Sequence, residues 1–431
     1  MTNTEKRNCL YIGKIASFRA PARANKIVKQ IMTLSKEFDV KVVTQFEPGI
    51  NFDEFTIDSL DIVMFAGASQ RRLAYKNAGN VVIQPNKLKI ITAKFQIGIL
   101  RILKSFLYPD PYIFSILQMY RASSPKIKTN SDIIITSSYP YSNLLIGLLL
   151  KFKRKKLTWI IELRDPFVGN KLAHRNFIFR FLDRKLENLF FTYADKIFTY
   201  RGWYPGGLVN LQQSYPKLVD KFVELPYCGY DEELSALTNQ KEASKPQKLS
   251  IIHAGNFYGG DYSPENLIEA VKNLRDTADL DDDTLLITFY GDIDVRYSAA
   301  VRDAGLQRFF EFKGLVPYSQ MQTIIQRADV LLWIAGSTTS YADNIPTKVF
   351  DYISTEKTIW AIIPPRGLAF DFVKEHAIFN SDTSSVDDIQ TSLKALLADF
   401  SNSALAPPLL NRNDFSLQNC CSRYLEEVSA L

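Results

Sequence analysis

"DVLLWIAGSTTSYADNIPTKVFDYISTEKTIWAIIPP", residues 329–365, contains one full repeat of a fold. "DVLLWIAG" is an apolar strand, "PTKVFDYIS" has the apolar spacing of a helix, and "TIWAIIPP" is a second apolar strand. Two strands joined through a helix return the chain to the same end of a sheet, so they lie side by side and parallel. Their unbroken apolar runs suit strands covered on both faces. The same alternation extends upstream: strand "LSIIHAG", helix "SPENLIEAVKNL", strands "TLLITFYGD" and "FFEFKG", helix "SQMQTIIQRA". Downstream come helices around "LAFDFVKEH" and "SVDDIQTSLKALLADF".

The first half of the chain is alike in kind. Strand "NCLYIGKI" leads through helix "RANKIVKQIMTLSKEF" to strand "DVKVVTQF", followed later by "SDIIITSS", helix "SNLLIGLLLKFK", "LTWIIELRDP" and "ADKIFTY". Between the halves, residues 227–249 lose apolar periodicity and collect polar residues and a proline, which marks a seam. The expected organisation is α/β: a Rossmann-like domain over 1–228, a second over 229–410, and a helix over 411–431 crossing back to the first. Doubly wound domains facing a cleft bind ligands beyond the carboxyl ends of their strands. That rule selects loops 13–23, 137–143, 162–170, 254–263, 291–296, 314–318 and 335–348.

Composition narrows the chemistry. A 431-residue chain with 46% hydrophobic and 23% charged residues is a folded protein of about two domains. Four scattered cysteines and three histidines leave no metal-ligand spacing, so no metal site is expected. The cysteine usage suits a reducing cytoplasm, and "MTNTEKRNCLYIG" reads as a polar lead into a strand rather than a signal peptide. The uncharged run Ile133–Leu150 approaches membrane-spanning length, but "TSSYPYSN" interrupts it. Residues 1–228 hold 35 Lys+Arg against 17 Asp+Glu, or +18, whereas 229–431 hold 17 against 29, or −12. A basic half of this kind suits an anionic partner.

Two loops carry candidate chemistry. In "HAGNFYGGDYSPENL", Gly255, Gly259 and Gly260 follow a strand and precede a helix capped by Ser263, letting backbone approach an anion. The spacing is neither that of a dinucleotide fingerprint nor that of a P-loop. His253, ending the strand, reads as a packed core residue. In "DNIPTKVFDYIS" (343–354), a helix starting at Pro346 would have Ile345 as N-cap, which has no capping side chain. A diphosphate could accept from its open N–H groups, with Lys348 adding charge. Helical spacing puts Val349, Phe350 and Ile353 in the buried stripe and Thr347, Lys348 and Asp351 on the polar face, which could equally be simply solvated.

On these residues a resemblance rests. "FEFKGLVPYSQMQTIIQRADVLLWIAG", with "DNIPTKVFDYISTEKTIWAIIPP", resembles the C-terminal domain of family 4 retaining glycosyltransferases of the GT-B fold. "SSYPYSNLLIGLLLKFKRKKLTWIIELRDPF" and "LPYCGYDEEL" are similar to a bacterial polysaccharide-assembly branch. The resemblance implies a UDP-, GDP- or ADP-sugar donor on the C-terminal domain and a glycan or lipid-linked acceptor on the N-terminal one. It implies that Asp351 binds ribose hydroxyls, that Asp343 contacts the transferring sugar, and that Pro346, Thr347 and Lys348, with Asn344 and Ile345, surround the phosphates. Donor contacts would also come from Gly255, Asn256, Tyr258, Gly259, Gly291, Leu315 and Val316, with Arg164 and Asp165 at the sugar. Both carboxylates of the family's Glu-x7-Glu signature are aspartates here, and the Gly-rich loop has no Arg or Lys, leaving Lys348 more of the phosphate duty. In the family the leaving diphosphate takes the acceptor proton, so neither metal nor general base is implied.

On the acceptor side, Lys14, Arg19 and Arg23 could meet a phosphate or acidic sugar, with Tyr139 and Tyr141 beside them. Residues 86–108 form a basic amphipathic stretch suited to an anionic membrane surface, as does "KFKRKK" at 151–156, and no nucleic-acid partner is expected. The expected setting is the cytoplasm, peripheral on the inner face of the cytoplasmic membrane. Two alternatives stay open: a nucleotide-sugar epimerase of the same fold, and a catalytically inactive subunit that binds a partner enzyme.

Overall fold

The computed structural model describes residues 6–14, 21–46, 61–66, 107–129, 132–168, 177–202, 207–227, 229–232, 235, 248–257 and 262–431. The expected membrane stretch 86–108 lies almost wholly outside these, and so do Arg19, Tyr258, Gly259 and Gly260. The chain divides into two units. One comprises residues 1–200, 208–225 and 421–431, and the other residues 201–207 and 226–420.

The first unit is built on seven parallel strands: β1 (Arg7–Ile12), β2 (Phe38–Phe46), β3 (Asp61–Ala66), β4 (Ile133–Ser138), β5 (Thr158–Leu163), β6 (Lys196–Tyr200) and β7 (Phe222–Leu225). Their order is β3-β2-β1-β4-β5-β6-β7, so strand order reverses between β1 and β4. Every residue of β4 is buried, as strands covered by helices on both faces must be. Helix Ser142–Lys153 packs onto this layer through Gly147, where a Cβ would come within 2.5–2.7 Å of Trp159 and Thr136. Trp159 answers by donating its indole N–H to the Thr136 hydroxyl at 2.9 Å. The end of the last helix, Leu417–Ser429, belongs to this unit: Tyr424 meets Phe198 edge-on, and Ser429 donates to Glu37.

The second unit has six parallel strands: β8 (Leu249–Ala254), β9 (Leu285–Tyr290), β10 (Phe310–Gly314), β11 (Val330–Ile334), β12 (Thr358–Ile363) and β13 (Phe379–Asp382). Their order is β10-β9-β8-β11-β12-β13, the doubly wound order with its reversal between β8 and β11. The quoted stretch supplies β11, the helix Thr347–Ile353 and β12, which pairs with β11 in register from Val330/Thr358 to Ile334/Ile362. Three strands, β3, β7 and β13, were not expected. Each is a sheet edge, and β7 (FVEL) and β13 (FNSD) are only four residues long.

Candidate functional site

At the carboxyl ends of β8, β9 and β10 the chain leaves the sheet through glycines in the left-handed half of φ space: Gly255 at +137°, Gly291 at +146° and Gly314 at +72°. These backbones stack closely. Gly255 N–H donates to the Tyr290 carbonyl at 2.8 Å and Gly291 N–H to the Gly314 carbonyl at 2.9 Å. A Cβ at Gly291 would lie 2.4 Å from the Gly255 carbonyl oxygen, and Asn256 Oδ1 accepts from Asp292 N–H at 2.7 Å. The loops are therefore pinned to one another, with bare backbone where side chains would intrude.

Lys348 reaches into this place. A Cβ at Gly255 would lie 3.3 Å from Lys348 Nζ. The amine sits 3.2 Å from His253 Nε2, while His253 Nδ1 lies 3.0 Å from the Leu332 carbonyl oxygen. That carbonyl needs a donor, so Nδ1 carries the proton and Nε2 presents its lone pair to the lysine. Burial, and then the charge of Lys348, push the His253 pKa well below its ordinary value, so the ring is neutral. Lys348 keeps part of its surface open, yet burial pulls its amine down to about 7. Among the described residues no carboxylate pairs with it. A cation desolvated without a counter-charge gains from an anion brought to it.

The helix carrying Lys348 differs in detail from expectation. It begins at Thr347, with extended Pro346 as N-cap and no side-chain cap, because Pro346 has ψ 148° and stands outside the turn. Ile345 is not a ligand contact: its side chain is in the core and its N–H goes to the Gly202 carbonyl at 2.9 Å. Asp351 is not on a solvated face either. It is buried beside Val349, Phe350, Tyr352 and Ile353, and accepts from the Tyr318 hydroxyl at 3.0 Å. Asp343 accepts from Leu368 N–H at 3.2 Å, so one oxygen of the shortened carboxylate holds the start of helix Leu368–Glu375. Thr347 and Val316 are half-buried, and Asn344 and Leu315 are exposed.

The first unit has its own cluster where β1 and β4 part. Lys14, just after β1, donates to the Tyr112 hydroxyl at 3.3 Å and lies 5.7 Å from that ring. Tyr112 meets Tyr139 edge-on, and Tyr139 meets Tyr141. Tyr141 is itself buried, its hydroxyl spent on the Pro166 carbonyl at 2.6 Å, so it supports the loop rather than offering a contact. Asp110 accepts from Ser142 and Tyr112 N–H groups and pins the same loop, with burial raising its pKa. Asp165 is half-buried after β5, and Ser138 donates to its carbonyl at 3.1 Å. Arg23 lies in the first helix, Pro21–Leu34.

Arg164 corrects the expectation most sharply. It is 2% exposed and pairs with fully buried Glu162 at 2.5 Å. Gln30 and Tyr200 accept from the same guanidinium, and Tyr11 and Tyr200 donate to Glu162. It is a component of the core, not a sugar contact. The residues overlooked in the sequence are Tyr318 and Tyr352, whose hydroxyl accepts from Ala254 N–H at 2.8 Å. His253, expected as a packed core residue, is fully buried and held by the Leu332 carbonyl. Among the described residues no group of His, Cys, Asp and Glu could hold a metal ion, and no helix is long and apolar enough to cross a membrane.

No protein-family model matches this chain, and no curated protein sequence does so significantly. Solved structures do. Sucrose-phosphate synthase from Thermosynechococcus elongatus aligns over 99% of this chain and 100% of its own at TM-score 0.61 and 12% identity. A UDP-forming α,α-trehalose-phosphate synthase from Burkholderia xenovorans, in complex with glucose-6-phosphate, aligns over 98% and 100% at 0.58 and 10% identity. WaaG, a glycosyltransferase involved in lipopolysaccharide biosynthesis, aligns over 98% of both chains at 0.54 and 12% identity. Two doubly wound sheets, each reversing order at its first-made strand, and these full-length alignments identify the fold of the chain as GT-B.

Proposed function

We propose that the protein is a retaining glycosyltransferase that moves a sugar from a nucleotide sugar to a lipid-linked or polysaccharide acceptor in bacterial surface-glycan assembly, at the inner face of the cytoplasmic membrane. The observation that carries this reading is the Lys348 amine, buried without a carboxylate partner against neutral His253 and beneath the bare backbone of Gly255. A donor diphosphate supplies the charge that this amine lacks. Buried Asp351, with Tyr318, is suited to ribose hydroxyls on the next turn of the same helix. Lys14 and Tyr139, beyond β1 and β4, suit an acceptor.

In the proposed reaction the acceptor oxygen bonds to the anomeric carbon on the face from which the diphosphate leaves. The bond from that carbon to the phosphate oxygen breaks, and the diphosphate takes the hydroxyl proton. Lys348 stabilises the charge that develops on the leaving oxygen. The cation is supplied by the chain, so a chelator is expected to leave the rate unchanged. One neighbour of this fold is described as UDP-forming, which makes UDP-sugars the first donors to try. The test is thermal shift with UDP, GDP and ADP separately, followed by hydrolysis of the matching nucleotide sugar. One nucleotide should raise the melting temperature in wild type and not in Lys348→Met. The commitment of Asp343 to Leu368 favours the inactive-subunit alternative, which gains if one nucleotide binds but no sugar is released from any donor.

A further inference from the structure

Helix Phe177–Tyr193 buries its acids and turns part of its apolar surface outward. Both its acidic residues, Asp183 and Glu187, are buried at 3% and 1% exposure. Glu187 accepts from Val168 N–H and the Tyr215 hydroxyl, so this acid is built into the interior. Phe190 and Phe191 are buried with the two acids, but four other large side chains face outward: Phe181 is 62% exposed, Tyr193 41%, Leu182 39% and Leu189 37%. At about 100° per residue, Leu182, Leu189 and Tyr193 fall in one stripe within roughly 40°. Lys185 and Phe181 run alongside it, both exposed.

The stripe continues onto a second helix. Phe152, 47% exposed near the end of helix Ser142–Lys153, meets Tyr193 edge-on at 4.7 Å. Leu149, one turn earlier, is 45% exposed. Exposed Lys153, Lys155 and Lys156 follow directly. The one exposed acid at this margin among the described residues, Asp195, is paired to Lys151 at 2.6 Å. The outer face of the two helices is thus apolar and cationic.

From this juxtaposition we infer that the face formed by helices Ser142–Lys153 and Phe177–Tyr193 is a docking surface for an anionic lipid bilayer. Apolar side chains at the centre enter the headgroup boundary, while the lysines around them meet lipid phosphates and bury their stems. Contiguous exposed apolar side chains on a folded unit call for a cover. A second copy is a poor one, since a twofold contact sets like charges against each other. The inference is independent of the glycosyltransferase reading and stands if no donor is ever turned over.

The test is sedimentation of the full chain with vesicles of phosphatidylcholine, with and without about 30% phosphatidylglycerol, at low and high salt. Binding is expected to the anionic vesicles only, and to weaken with salt. Replacing Lys185, Lys153, Lys155 and Lys156 with Glu should lower it by on the order of 100-fold or more. Phe152→Ser with Leu189→Ser should lower it by about tenfold or more. Melting temperature and nucleotide binding, read on the same variants, report folding and the donor site separately. The inference is overturned if wild type ignores anionic vesicles or if folded variants bind them as wild type does. It is equally overturned if the chain self-associates and the serine variants merely make it monomeric.

Discussion

Two desolvated cations near the carboxyl ends of strands, Arg164 in one unit and Lys348 in the other, are treated in opposite ways. Arg164, after β5, meets its counter-charge within the fold: Glu162 pairs with it, and Gln30 and Tyr200 accept further hydrogen bonds. Burial opposes ionisation of Glu162, yet Arg164, Tyr200 and Tyr11 together hold its pKa below the ordinary carboxylate value. Lys348 has only the lone pair of a neutral imidazole. A cation whose charge is met within the fold gains little from an anionic ligand, whereas one left without a counter-charge is a place where binding energy can be gained.

The largest effect should come from breaking the compensated pair. Glu162→Ala leaves Arg164 buried without its charge partner, and removing one member of such a pair costs about 3–5 kcal/mol. Denaturant unfolding should show that loss. A loss of less than about 1 kcal/mol would mean that Tyr200 and Gln30 suffice for Arg164. Lys348 should behave in the opposite sense. Lys348→Met removes a desolvated charge, so stability should hold or rise, while kcat/KM for the nucleotide sugar falls about 10²–10³-fold. Equal losses of stability and activity in this variant would sink the distinction between the two cations.

Asp351→Ala should act next, through the donor rather than the fold. A carboxylate accepting a ribose hydroxyl contributes about 1.5–3 kcal/mol, so KM should rise about 10- to 100-fold. Tyr318→Phe, which removes the hydroxyl now donated to Asp351, should change it less. If KM stays put in Asp351→Ala, the carboxylate serves the core alone.

How far the sequence displayed this contrast depends on what decides each feature. Parallel α/β order was legible because β11 (VLLWI) and β12 (TIWAII) are nearly unbroken apolar runs separated by helical spacing, and burial on both faces demands such runs. β7 and β13 were not, since a four-residue edge strand gains its pairing from neighbours rather than from its own pattern. Gly255, Gly291 and Lys348 were singled out because the ends of strands select them, and the structure brings them close together. Arg164 was misread for the same reason: proximity to a strand end does not reveal Glu162, Gln30 and Tyr200 closing around it from β5, the first helix and β6. Asp351 defeated the helical-wheel reading because its short helix is covered on more than one side, with five consecutive residues buried.

The pH response separates the cations further. In the unfolded chain Lys348 has its ordinary value of 10.5, and in the folded protein about 7. Between those values the unfolded chain holds the extra proton, so this group makes stability rise with pH across that window. Melting curves should show the rise in wild type relative to Lys348→Met. Donor affinity should run the other way, falling as pH climbs past about 7, because the diphosphate needs the protonated amine. Arg164 stays charged throughout and adds no such slope.

The smallest effect, and the most discriminating, belongs to His253. Its Nδ1 is held by the Leu332 carbonyl, which aims Nε2 at the amine, and Phe257 stacks on the ring at 4.6 Å to fix its plane. His253→Asn can keep the bond to Leu332 but withdraws the acceptor from Lys348. One neutral hydrogen bond is then lost, and kcat/KM should fall about 3- to 10-fold. The limb of the pH profile near 7 should also move to lower pH, since nothing then favours the protonated amine. His253→Gln extends an amide oxygen toward the Nε2 position and should restore part of both. If both variants keep the wild-type pH profile and differ only in stability, His253 is packing for the core, and Lys348 is positioned by its own helix.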